Sequence, residues 1–323
     1  MNQLAFFVEK AQEWLRETCT GDFSGFLLGK EIGIESPDDR SFVLSDLTSL
    51  GLIEPVRGKH GVYAKVRNEC PAIDWRNAQE SWYPLRVPFG LDKMCGVRPK
   101  NIIIVAGETN AGKTLFALQI AHDNLAQNGG SHTLVNYFNS EMGPDELRAR
   151  LMRIDSLPGA WDGMEAYERE RDFHSVIDPE RLNIIDYLEV TTDFFLVGGM
   201  IQRIHAKLTT GVCIICLQKP KGKDTGRGGD FTLEKARLAL ALSYEHGVNM
   251  AKIVKCKNPL HGDMNPQGQE LDYRIIRGAT CNELTPWRWV NEKERKALQQ
   301  GYEREQVALK CRSTWAETTA NQS

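Results

Sequence analysis

Two glycines five residues apart, followed at once by a lysine and a hydroxyl, are the first residues of this chain whose spacing points to chemistry. The run from Gly107 through Glu108, Thr109, Asn110 and Ala111 to Gly112, Lys113 and Thr114 reads G-x-x-x-x-G-K-T. Such glycines let the backbone curl until successive N–H groups point inward, a concave cationic nest that suits a polyphosphate. Lys113 can then reach the β- and γ-phosphates, and the Thr114 hydroxyl can hold Mg²⁺. The nine residues from Gly107 to Leu115 are therefore the candidate contacts for ATP, with Mg²⁺ as its companion ion.

Three further polar residues stand where apolar runs stop. Glu141 follows LVNYFNS, Asp186 ends LNIID and Gln218 ends VCIICLQ. A carboxylate at the C-terminal end of a strand lies at the ligand edge of an open α/β sheet. Glu141 stands at that edge, and Asp186 there suits a water in the Mg²⁺ shell. After Gln218 comes KPKGKDTGRGGD, where Lys219, Lys221, Lys223 and Arg227 sit on a glycine-rich backbone, a basic loop suited to DNA phosphates. Lys255 and Lys257 lie two apart in MAKIVKCK, a spacing that puts both on one face of a strand.

The elements that must carry these residues follow from pattern. Ile102, Ile103, Ile104 and Val105 are β-branched and uninterrupted by charge, as in a parallel strand buried on both faces. LFALQIAHDNLA repeats apolar positions at steps of three and four, so a helix starts where the loop ends. DFFLVGGMIQRIHAKL repeats Phe194, Val197, Ile201, Ile204 and Leu208 in the same way and reads as a crossover helix. RLALALSYE, MAKIVKCK and DYRIIRG are expected to add antiparallel strands, and the charged stretch from Asn291 onward to form a helix. An α/β P-loop core over residues 88–290 is thus expected, with a mostly parallel sheet plus antiparallel C-terminal strands and a helix and tail at 291–323.

Ahead of it, residues 1–70 offer three amphipathic helices and a hairpin around the turn from Gly58 to Gly61, a winged-helix-like pattern. Asp38, Asp39 and Asp46 outnumber Arg40 in the third helix, whereas Arg57, Lys59, His60, Lys65 and Arg67 gather in the hairpin. DNA contact and docking to a protein partner both fit this module. Residues 71–87, rich in Pro and Trp, read as a linker whose aromatics pack on something.

With 323 residues and a net charge of −3, the chain can bury a large core and owes any nucleic-acid affinity to local patches. No run is apolar for the length of a membrane span, and the opening residues are acidic where a secretion signal is basic, so no membrane and a cytoplasmic location are expected. Cys213 and Cys216, three apart on one strand, point to opposite faces and read as buried thiols, not metal ligands.

The order of these features resembles the RecA-like ATPases and, within them, the DnaB-like hexameric helicases. The resemblance covers residues 88 to about 280. It rests on FGLDKM at 89–94, the loop from Gly107 to Thr114, NSEM with Glu141, IDYLE with Asp186, and Gln218 after its strand. It implies a RecA-like P-loop NTPase core, with Glu141 as the catalytic base, Asp186 as the Walker B acid and Gln218 as a γ-phosphate sensor. It also implies that KCKNP, in place of the family's K-x-R, brings Lys255 and Lys257 to the nucleotide of an adjoining protomer. GRGGDFTLEKARL further resembles DnaB-like ATPases of phages and mobile elements. A homo-oligomer, a hexamer by resemblance, acting on single-stranded DNA as a helicase or translocase is the function so implied. An ATP-set regulator bound to DNA or a partner, and a recombinase-like filament, share the same features.

Overall fold

The computed structural model describes residues 3–19, 21–66, 72–125, 134–157, 159–188, 196–262 and 264–320, with backbone alone over 310–320. The expectations for Arg67 and Phe194 lie outside the described residues. The chain divides into two compact units, Met1–Gln79 and Glu80–Ser323.

In the first unit, α1 (Gln3–Glu17), α2 (Gly25–Ile32) and α3 (Pro37–Ser49) surround a core that includes Ala11, Leu15, Leu28, Val43 and Leu47. Ser24 and Ser36 cap α2 and α3 by accepting from the backbone N–H groups of Leu27 and Asp39. Asp38 and Asp39 occupy the first turn of α3, where carboxylates favour the positive end of the helix dipole. The small sheet of β1 (Phe23–Ser24), β2 (Ile53–Pro55) and β3 (Val62–Lys65) runs in the order β1-β3-β2, antiparallel throughout.

The second unit is a nine-stranded sheet. Its strands are β4 (Ile102–Gly107), β5 (Val135–Asn139), β6 (Met164–Glu168), β7 (Leu182–Asp186), β8 (Val212–Gln218), β9 (Ala236–Glu245), β10 (Val248–Cys256), β11 (Glu270–Ile276) and β12 (Thr280–Glu283). They lie in the order β12-β11-β10-β9-β4-β8-β7-β5-β6. Strands from β9 to β6 are parallel, and β10, β11 and β12 extend that sheet in antiparallel fashion. The α/β class with a mostly parallel sheet and antiparallel C-terminal strands is the one expected. β4 is buried along its whole length. Ile103 and Val105 face the core that holds Phe116 and Ile120 of α4 (Lys113–Asn124), whereas Ile102 and Ile104 face Val197, Ile201 and Ile204 of α6 (Leu196–Lys207). Cys213 and Cys216 fall in these two opposite cores.

Three expectations change. RLALALSYE, read as antiparallel, forms β9, which is antiparallel to β10 as expected but pairs parallel to β4 on its other side. Its Leu238 to Leu242 are buried without alternation because both faces of a strand beside the sheet centre are covered. β6 was not anticipated: MEAYE is a largely exposed edge strand without an apolar run. The linker expected at 71–87 gives its second half to the second unit, since Tyr83, Leu85 and Val87 are buried in the core. No helix among the described residues is long and apolar enough to cross a membrane.

The helix expected after Asn291 is α7 (Glu292–Ala320). Arg295 holds it to the sheet by ion pairs to Glu270 and, at 2.8 Å, to Asp272, whose carboxylate also accepts from the Tyr302 hydroxyl. Asp272 is 1% exposed, so its charge needs those donors. Replacing Arg295 by Ala should therefore cost about 3 kcal/mol, the low end for removing one partner of a buried pair. Urea denaturation checks this, and an unchanged midpoint would remove Arg295 from the account of how α7 docks.

Candidate nucleotide site

The loop between β4 and α4 has little room for side chains at its glycines. A Cβ on Gly107 would sit 2.4 Å from the Lys113 side chain, and one on Gly112, whose φ is +85°, would sit 2.5 Å from Ile275. β11 backs the loop, because the Tyr273 hydroxyl donates to the Ala111 carbonyl at 3.0 Å. Glu108 is tied down as well. Its carboxylate accepts from Lys219 Nζ at 2.9 Å and from the Gly222 N–H at 3.2 Å. Burial pushes the Glu108 carboxyl up, but Lys219 and the N–H groups of Gly222 and Tyr244 outweigh it and hold it below its ordinary value.

Lys113 bends back over the loop and donates to the carbonyls of Gly107 and Glu108 and to Gln218 Oε1 at 2.9 Å. The other end of the same amide, Gln218 Nε2, donates to Thr109 Oγ1 at 3.0 Å. Burial lowers the affinity of Lys113 for its proton, while nearby Asp186 and Glu141 oppose that effect. Asp186 is 3% exposed, and its desolvated carboxyl is pushed up even though Tyr137 and Thr114 donate to it. Glu141 comes just after β5, in a turn that Asn139 builds by accepting from the N–H groups of Glu141 and Met142.

One cleft of about 570 Å³ is lined by Thr109, Asn110, Gly112, Lys113, Thr114, Leu115, Glu141 and Gln218 among others. Arg150 of α5 (Pro144–Ile154) and Arg227 line it too. Sequence reading missed Arg150 and assigned Arg227 to DNA. Asp186 lies beneath Lys113 and Thr114, and Glu108 is turned away into its ion pair with Lys219.

Lys219 requires a correction. Expected to contact DNA, it is buried, and its ammonium is spent on Glu108 and on the Lys223 carbonyl. Lys221 and Lys223 are exposed, as the expectation needs, on a loop closed by N–H donation from Arg227 to Gln218 and by the Asp224–Lys252 ion pair. Lys255 and Lys257 stand apart from the cleft. They lie at the opposite end of the sheet, where Cys256 pairs with Leu238 and Lys257 donates its N–H to the Arg237 carbonyl. Lys255 donates to the Leu233 carbonyl; burial, then Lys257 and Arg237, lower its proton affinity.

The residues fit a nucleoside triphosphate with a hard divalent cation. The glycine cradle and the cations of Lys113, Arg150 and Arg227 suit phosphates, and the oxygen donors of Thr114 and Asp186 suit Mg²⁺. No group of three or more His, Cys, Asp or Glu placed to hold a metal occurs among the described residues. An ion here would share the substrate's phosphates, as Mg²⁺ does in such sites.

Residues 89–160 match the DnaB-like helicase C terminal domain family, a stretch that runs from the FGLDKM lead-in through the loop and Glu141 to just beyond α5. No curated protein matches the chain. Among solved structures, a KaiC-like protein, PH0186, from the hyperthermophilic archaeon Pyrococcus horikoshii OT3 is similar at 16% identity and a TM-score of 0.45, over 62% of this chain and 100% of that one. The chain is thus an α/β protein that carries, over residues 89–160, a segment similar to the DnaB-like helicase C terminal domain.

Proposed function

We propose that this chain is an ATP-hydrolysing motor or switch that acts on single-stranded DNA, with helicase or translocase activity in replication of a phage or mobile element as the leading form. The observation that carries this reading is the bridge through Gln218. One amide touches both Lys113 and Thr109 of the phosphate loop, and it immediately precedes the loop that exposes Lys221 and Lys223. A triphosphate competing for Lys113 would change the partners of Gln218, and that change would pass along the backbone to the basic loop. Bound Mg²⁺ would supply neutralisation of phosphate charge. Thr114 and Asp186 would hold the ion, Glu141 would take the proton of the attacking water, and Lys113 would stabilise charge on the γ-phosphoryl oxygens.

An ATP-set regulator remains the second reading, because the first unit offers both an acidic helix and a basic hairpin as docking surfaces. ATPase rate with and without single-stranded DNA separates the two: a motor is stimulated and a regulator is not. Within the leading reading, Lys113→Ala should weaken nucleotide binding and hydrolysis together. Glu141→Gln should keep binding and lose turnover by at least about a hundredfold, the lower end of a general base's contribution. Turnover surviving in Glu141→Gln, measured by phosphate release, would move the base elsewhere.

The DNA contacts are proposed to be Lys221 and Lys223. Replacing both by Ala should weaken binding to all sequences alike and reduce the dependence of log affinity on log salt by up to about 1.4 units, about 0.7 for each phosphate no longer neutralised. An unchanged slope in fluorescence anisotropy would return the loop to ordinary surface.

Lys255 and Lys257 are proposed to act on the nucleotide of an adjoining copy in a homo-oligomer, a hexamer by analogy. Their place at the far end of the sheet from their own phosphate loop supports this role. Lys257→Ala should leave ATP binding nearly intact and abolish turnover in the assembly. Mixing it with Lys113→Ala subunits should restore part of the activity, since an intact Lys113 cleft can then meet an intact Lys257. Mixed assemblies that form without any recovery would show the lysines to be surface residues.

A further inference from the structure

β5 carries a residue that neither the sequence pattern nor the proposed reaction absorbs. Tyr137 lies between Asn136 and Phe138 in a fully buried strand and has no exposure of its own. A buried tyrosine must find a partner for its hydroxyl. Here the partner is on the neighbouring parallel strand: Tyr137 Oη donates to Asp186 Oδ2 at 2.5 Å. A short O–H···O⁻ bond of this kind is among the stronger hydrogen bonds in proteins.

The geometry fixes what this bond does. Asp186 ends β7, and Thr114 at the head of α4 also donates to its carboxylate. An unanchored aspartate turns easily about its terminal torsion, which is broad and roughly two-fold. With Oδ2 engaged by Tyr137 and the Cys216 thiol of β8 also hydrogen-bonded to the carboxylate, its plane is held from the sheet interior while Thr114 donates from the head of α4. We propose that Tyr137 is a positioning residue that locks Asp186 in the orientation needed to bind the Mg²⁺ of a bound nucleotide. The inference rests on the nucleotide reading above.

The test uses the full chain and a fluorescent ATP analogue, titrated in EDTA and then across a series of Mg²⁺ concentrations. Tyr137→Phe fills the same space without the hydroxyl. It should match the wild type in EDTA, and its Mg²⁺ midpoint for the gain in affinity should rise at least about tenfold, the usual consequence of losing a group that orients a metal ligand. Asp186→Asn should remove most of the gain, and adding Tyr137→Phe to it should change nothing more. A purely structural role would lower the melting temperature and leave the Mg²⁺ midpoint where it was, and that result overturns the proposal. A wild-type chain that binds no nucleotide overturns the nucleotide reading and the role of Tyr137 with it. Wild-type binding with a Mg²⁺ gain that Tyr137→Phe fully retains overturns the role of Tyr137 alone.

Discussion

A buried ion pair between Glu108 and Lys219 connects the two loops on which the proposed function turns. The Lys219 side chain is 1% exposed and that of Glu108 12%. Two charges so far from water persist only while each satisfies the other and the remaining donors and acceptors are filled. That condition holds here. Glu108 accepts from Lys219 and from two backbone N–H groups, and Lys219 also reaches the Lys223 carbonyl. Neither loop can shift far unless the other follows, since separation strands a charge in the interior. Gln218 makes a second and weaker connection between neutral groups and a single cation, so it can exchange partners while the ion pair keeps the loops together.

The same end of the sheet is braced from behind. Tyr273 and Ile275 of β11 press on Ala111 and Gly112, and the Phe89 ring packs against that of Tyr273 at a 46° tilt with centroids 4.9 Å apart. Trp287 then donates to the Phe89 carbonyl at 3.0 Å. The lead-in to the loop, the loop and the antiparallel strands are therefore one packed body, although they are far apart in the chain. The absence of a side chain at Gly112 is what lets β11 come so close.

How much of this was legible in the sequence follows from the range of the forces involved. Local constraints showed plainly. The β-branched run at 102–105, the glycine spacing and the 3.6-residue periods each encode one element, and those elements formed where they were read. Glu141, Asp186 and Gln218 could be singled out because strand ends in parallel sheets share one edge. Pairings between distant residues left no local trace. Nothing around Lys219 distinguishes it from Lys221, yet one is buried against Glu108 and the other is exposed. Tyr137 carried no sign of its partner, because a strand interior looks the same whether or not a polar tip finds a carboxylate. β9 was read as antiparallel because its run alternates, and it is antiparallel to β10; its parallel pairing with the distant β4 left no local trace.

β4 has its hydrogen-bonded neighbours much later in the chain: Ile102 pairs with Cys213 on one side and Ala236 on the other. During synthesis, the most apolar strand of the sheet therefore leaves the ribosome well before either strand that will cover it. It must wait, exposed, through the making of β5, β6 and β7. Closing such a long loop is entropically costly and makes folding slow, and an uncovered run of isoleucines is prone to self-association in the meantime. The nucleotide loop at its end cannot take shape until β8 and β9 have arrived. The loop can therefore take shape only after the chain has been made through Glu245, the end of β9.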